Sequence, residues 1–258
     1  MASEAAATGQ PAARQPLLMF KRLEPIEPSR HGGLRLDRDG RTYRFAEHAN
    51  AVPLTVPEFA VTASDYPIVF TDGPTPMPLA LLGYRQDESL FVEPDGSWAA
   101  GFYVPWYIRC YPFAVLNGRE PGSLVPCLDA EADGLGPLVG ELLLENEAPS
   151  PMLKEILNFC HGYNRALEET RALGKALHSA GLLLPHEAVI ALGGDRKSAR
   201  VGGFWAVDKQ KFQNLPDKTF LAWRKNGFLA AVYQHLQSLN CWPTLSAAAS
   251  RKLERRAG

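Results

Sequence analysis

Excess charge of one sign, long apolar runs and paired cysteines are scarce in this sequence, and each scarcity removes a class of function. The formal net charge is −1 over 258 residues and the cations form no stripe, so the electrostatic footprint of a nucleic-acid binder is missing. No apolar stretch approaches the roughly 18 residues that a membrane span needs. Pro16-Leu-Leu-Met-Phe20 is too short for the core of a signal peptide and Glu4 precedes it, which implies a cytoplasmic protein. Cys110, Cys127, Cys160 and Cys241 are widely spaced and include no C-x-x-C pair. They read as four buried thiols rather than as a zinc site or a disulfide framework.

Catalytic signatures are also absent. There is no G-x-x-x-x-G-K-[ST] phosphate loop, no G-x-G-x-x-G after a strand, no G-x-S-x-G elbow and no H-E-x-x-H, and none of the six histidines begins an H-x-[DE] pair. His31, His48 and His235 are too scattered to argue for a three-histidine metal site, so neither metal nor cofactor is expected. Cys127-Leu-Asp129 has no neighbouring base or cation to make a thiolate, and reads as a buried cysteine beside a turn aspartate. His235 shares no helical face with Tyr233 and is expected to bond a neighbouring backbone group or carboxylate.

The chain organises into an α+β protein. Residues 1–16 read as a disordered lead-in, 17–245 as one α+β domain and 246–258 as a flexible tail whose basic residues are solvated. The first part is β-rich, with short strands and hairpins. Leu34–Phe45 alternates around Asp39-Gly40, and Leu90–Trp98 repeats the device around Asp95-Gly96, so both dipeptides are expected at hairpin tips with glycine at positive φ. Prolines 53, 57, 67, 74, 76 and 78 exclude long helices across that stretch. Amphipathic helices lie mainly in the C-terminal part. Leu153, Ile156, Leu157, Cys160, Tyr163, Leu167, Gly174 and Leu177 form one helical stripe between Pro151 and Gly181. A hairpin is expected around Gly193-Gly-Asp-Arg-Lys197, a helix capped by Asp217 that runs to Lys225 and stops at Asn226-Gly227, and a last helix with Phe228, Leu229, Val232, Tyr233, Leu236 and Leu239 on its apolar side.

The most informative segment is Trp98–Phe113, which holds seven aromatic residues, two prolines and Arg109. Such a run must lie in the core or line a pocket, because aromatic side chains are large and apolar. Pro105 and Tyr111-Pro112 bracket one or two helical turns. Arg109 can present its planar fork to a carboxylate or phosphate, with Trp106, Tyr107 and Tyr111 flanking the ligand. It can equally staple the core by stacking on tyrosines and pairing with Asp129 or Glu58, and this is the commoner use of such an arginine. Under that second use, Arg109→Met should lose about 3 kcal/mol through a stranded carboxylate.

Asn50-Ala-Val-Pro-Leu54, Glu58-Phe59, Tyr66-Pro-Ile-Val-Phe70, Ala80-Leu-Leu-Gly83, Tyr107-Ile-Arg-Cys-Tyr-Pro-Phe113, Cys127-Leu-Asp129, Gly202-Gly-Phe-Trp-Ala-Val-Asp208 and Tyr233–Leu239 follow one another as in the SapC family of bacterial proteins, which the chain resembles over residues 17–245. Cys110 stands where the family form carries a second arginine, and Leu142–Glu145 departs from a Leu-Phe pair. The resemblance implies a surface-layer setting and supplies no catalytic residues. A rich recognition segment combined with an empty list of catalytic motifs gives the expected function: binding of a peptide, protein partner or small ligand through Arg109, Tyr107, Tyr111 and Trp106. The alternative is an enzyme whose site near Arg109 acts on an anionic small molecule or peptide.

Overall fold

The computed structural model describes residues 17–40, 42–120, 122–193 and 198–257. The lead-in 1–16 and the tip of the hairpin at 194–197 lie outside the described residues. In chain order the strands begin with β1 (Leu23–Pro25), β2 (Arg35–Leu36), β3 (Ala51–Pro53), β4 (Ile68–Phe70), β5 (Pro78–Leu81), β6 (Phe113–Asn117) and β7 (Leu124–Asp129). They continue with β8 (Leu135–Gly136), β9 (Glu141–Leu142), β10 (Leu144–Glu145), β11 (Ala148–Pro149), β12 (Leu183–Ala191) and β13 (Ser198–Val207). The helices are α1 (Pro28–His31), α2 (Phe59–Thr62), α3 (Trp106–Cys110), α4 (Pro151–Ser179), α5 (Lys209–Gln213), α6 (Asp217–Asn226), α7 (Phe228–Ser238) and α8 (Trp242–Ala257). All pairing is antiparallel, in sheets ordered β12-β13-β4-β5-β3, β1-β7-β6 and β8-β2-β9 with a small β10-β11 hairpin. The protein is α+β, and one apolar core draws on both halves of the chain, from Phe59, Tyr66 and Phe91 to Leu153 and Leu245.

α4 is the spine. The Ser150 hydroxyl accepts from Leu153 N–H at 3.2 Å, Pro151 opens the helix, and Gly181 at φ +61° follows its end. The expected stripe turns inward, with Leu153, Leu157, Cys160, Tyr163, Gly174 and Leu177 buried. Gly174 is needed for close approach: a Cβ there would sit 2.0 Å from the Pro76 carbonyl oxygen. Gly162, in the same helix, has nothing within 4 Å of its would-be Cβ. Alanine at these two positions should therefore act with opposite sign. Gly162→Ala should add up to about 1 kcal/mol through helix propensity, and Gly174→Ala should lose about 1–3 kcal/mol through overpacking. Parallel denaturant titrations check the pair, and equal effects would contradict the close approach.

α7 closes the five-stranded sheet by an unusual joint. β4 and β13 share a single register pair, Trp205 with Phe70. Beside it the His235 ring is inserted between the strands. Its Nε2 accepts from Val207 N–H at 3.1 Å, so its Nδ1 carries the proton and donates to the Ile68 carbonyl at 2.9 Å. Ser238 Oγ accepts from Ile68 N–H at 2.9 Å. The imidazole thus stands in for a rung of the ladder, which is the backbone role expected of it.

Three expectations are corrected. The Asp39-Gly40 hairpin does not form. Leu36 is buried and β2 pairs with β8 and β9, a hundred residues downstream, so non-local partners outcompete the local ones. Asp37 Oδ1 accepts from the N–H groups of Asp39 and Gly40, and Gly40 is not left-handed, so no strain argument applies there. The Asp95-Gly96 reversal is present, with Gly96 at φ +88° and Val92 bridged to Trp98. Next, 246–257 is not a flexible tail but the body of α8. Leu245, Ala248 and Ala249 are buried, and Arg255 and Arg256 pair with Glu93 and Glu88. Small alanines made this apolar face hard to see beneath the charge. Lastly, Tyr233 points outward at 57% exposure, its ring against Phe212, while Ala231 and His235 take the buried face of α7.

Candidate functional site

Glu58 organises the surroundings of the aromatic segment. It ends a turn at Val56–Glu58, and its Oε2 accepts from the N–H and hydroxyl of Thr55 at 2.9 and 2.8 Å. Its Oε1 accepts from Trp106 N–H at 2.6 Å and from the Tyr103 hydroxyl at 3.3 Å. One buried carboxylate therefore fixes both the first turn of α3 and the loop before it. Burial raises its pKa, against the lowering effect of these four donors.

α3 itself is the helical reading of the segment, begun after Pro105 and ended before Pro112. Its four candidate residues part company. Tyr107 is buried and its hydroxyl donates to the Leu18 carbonyl at 2.7 Å. Tyr111 is buried, stacks on Phe45 at 3.9 Å and donates to Asp129 Oδ2 at 3.3 Å. Asp129 also accepts from the backbone of Lys21, Arg22 and Glu131, so it ties the chain entry to β7 and spends both oxygens doing so. Both tyrosines therefore use their hydroxyls inside the protein. Arg109 and Trp106 remain at the surface, the first exposed and the second half-buried.

These two meet on Phe159, which sequence reasoning missed. Its ring lies 5.7 Å from that of Trp106, edge to face, and the Arg109 guanidinium sits 4.6 Å from its centroid. The signal was present but ambiguous, because Phe159 follows Ile156 on α4 and looks like one more core position. Tyr103 is the second residue missed. Its pKa is pushed above the usual tyrosine range by burial and then by the Glu58 charge, while Arg109 acts on it in the opposite sense by charge and hydrogen bonding. A chain of contacts thus runs from exposed Arg109 through Tyr103 to buried Glu58.

The expected internal staple is accordingly altered. Arg109 is exposed and its guanidinium stacks on Phe159, so a stack at the surface takes the place of one inside the core. Cys110 and Cys160 are both buried and free, and the neighbouring Cys160 thiol and then burial push the Cys110 thiol far above the usual range. Cys127 is buried with its thiol toward the Val125 carbonyl.

Among the described residues no three His, Cys, Asp or Glu side chains group to hold a metal ion, and no helix is long and apolar enough to cross a membrane. His31 lies beside Glu24 and Glu27, His48 beside Glu47 and Asp87, and His235 in the sheet joint. Two open clefts of about 540 and 530 Å³, one at Leu36–Asp39 with Val139–Glu141 and one at the β12–β13 bulge, include none of Arg109, Trp106 and Phe159. The arrangement around Arg109 can hold an anionic group by its fork while an aromatic shelf covers one side.

A family model described as SapC matches residues 26–245. No curated protein and no solved structure matches the chain.

Proposed function

The chain belongs to the SapC family, and from that premise we propose that it works by binding a peptide or protein partner that bears a carboxylate, at the Trp106–Phe159–Arg109 surface. The observation that carries this reading is the restraint on an exposed arginine, whose guanidinium is stacked on Phe159 and interacts with Tyr103. Pre-organisation lowers the entropy lost on binding. Half-buried Trp106 supplies a rigid apolar contact of the kind that dominates binding surfaces. Glu58, the carboxylate that accepts from Tyr103 and Trp106, is filled by donors that hold the fold together, which favours recognition over proton transfer. Association with a bacterial surface layer belongs to the same proposal, as the setting that the family name suggests.

The test is an amide-resonance titration with a glutamate-rich peptide and a lysine-rich peptide of equal length. Signals of Trp106, Arg109 and Phe159 should move with the acidic peptide alone. Arg109→Met should keep stability within about 0.5 kcal/mol of the parent, as an exposed substitution does, and should abolish the shifts. A parent protein whose signals stay still with both peptides would overturn the proposal.

A further inference from the structure

A second surface lies on α6. This helix holds on lightly. Of its ten residues only Trp223 is buried, Thr219 is intermediate and the other eight are exposed. The exposed residues include two large apolar side chains, Phe220 at 38% and Leu221 at 47%. Burial of Trp223 against Phe228 fixes which side faces the protein. With 3.6 residues per turn, Leu221 then stands on the outward side.

Around Leu221, helix geometry places Lys218 three residues before, Arg224 three after and Lys225 four after, all on its own face. An apolar tooth is thus ringed by three cations, and none of the three takes part in an ion pair among the described residues. Asp217, the single anion on the helix, stands four residues before Leu221 and so on the same face, which leaves that face a net charge of about +2. Just upstream, α5 adds the exposed cations Lys209 and Lys211. From Lys209 to Asn226 the chain carries five Lys and Arg against one Asp, in a protein whose net charge is −1.

We propose that the outer face of α6 is a docking surface for an anionic lipid bilayer, on which Leu221 enters the headgroup region while Lys218, Arg224 and Lys225 meet the lipid phosphates. Charge complementarity selects an anionic partner. An exposed leucine set among cations is a combination found on helices that lie in a membrane interface. A single outward helix face is convex, which suits contact with a plane better than enclosure of a peptide. Nucleic acid would use the cations but leaves Leu221 without a role. Each cation contributes a modest attraction that salt screens, so attachment is reversible and strongest at low ionic strength.

The experiment is co-sedimentation of the full chain with phosphatidylcholine vesicles, with and without phosphatidylglycerol, at low and at high salt. Binding is expected only with phosphatidylglycerol and only at low salt. The double variant Arg224→Ser/Lys225→Ser should bind roughly 25-fold more weakly, about fivefold for each cation removed. Leu221→Ser, which leaves the charge untouched, should weaken binding several-fold. All three substitutions are on exposed positions, and circular dichroism with a melting curve checks that each variant folds. A parent protein that stays in the supernatant with phosphatidylglycerol at low salt overturns the proposal. So does binding that is indifferent to Leu221→Ser, which would leave a purely electrostatic contact, and so does retention of an oligonucleotide in a gel-shift assay without vesicle binding.

Discussion

Lowering the pH from about 7.5 to about 5 should take roughly 2 kcal/mol from the stability of the fold through His235 alone. Burial lowers the His235 pKa from 6.5 to about 4, the bond to Ile68 opposes that shift, and charge on His186 adds to it. A folded-state pKa below the unfolded one means that the unfolded chain takes up the proton first. The contribution is therefore fully present above about pH 6.5, declines as the pH falls, and is exhausted near pH 4. The structural cause is specific. Protonated Nε2 would point a hydrogen at Val207 N–H, turning a bond into a clash of two donors inside the sheet. Glu58 acts with the opposite slope, because its pKa is raised and the folded state holds that proton to higher pH than the unfolded chain does.

A variant separates the two. The amide of Gln carries a donor and an acceptor on one carbon, as the imidazole carries Nδ1 and Nε2 on Cε1. His235→Gln can therefore bond Ile68 and Val207 without titrating. Urea titrations of parent and variant across that pH range should show the parent losing about 2 kcal/mol more than the variant. His235→Leu, which strands the Ile68 carbonyl and the Val207 N–H, should lose about 3 kcal/mol at neutral pH. Equal pH slopes for parent and His235→Gln would refute the role assigned to the ring.

The contrast between what the sequence disclosed and what it hid follows the range of the interactions. α4, the Asp95-Gly96 reversal, the short α3 between two prolines and the end of α6 at Gly227 are all written in neighbouring residues, and they are where the periodicity and turn rules place them. Leu34–Phe45 carries the same local signal as 90–98, yet β2 is claimed by β8 and β9 and Phe45 by Tyr111. Pairing over a hundred residues leaves no trace in a short window. At the site, one sequence run implied that Arg109, Trp106, Tyr107 and Tyr111 act together. A helix of five residues instead sends adjacent side chains to different sides, so Tyr107 and Tyr111 are internal while Arg109 and Trp106 look outward to Phe159. Only the packing of α3 on α4 makes that choice.

Glu58→Ala should be among the most damaging single substitutions in the chain, with a loss of about 3 kcal/mol or more. Two effects compete. Removing a carboxyl group that is 1% exposed relieves a desolvation penalty, the same burial that raises its pKa against the hydrogen bonds it accepts. Against it, alanine leaves four donors without their acceptor: Thr55 N–H, the Thr55 hydroxyl, Trp106 N–H and the Tyr103 hydroxyl. At roughly 1–3 kcal/mol for each buried group left unsatisfied, the second effect wins even if water repairs half of them. Glu58→Gln should fall between parent and alanine, because its amide keeps one acceptor but turns two hydrogens toward donors. The damage should also reach the surface: with Trp106 N–H and Tyr103 released, α3 loosens and the shelf under Arg109 loses its fixed geometry. Hydrogen exchange should show the amides of Trp106 and Arg109 losing more protection than those of the distant α8, alongside the shift in the denaturant midpoint. A Glu58→Ala protein within about 1 kcal/mol of the parent, with unaltered exchange at Trp106, would mean that this carboxylate does not hold the segment together.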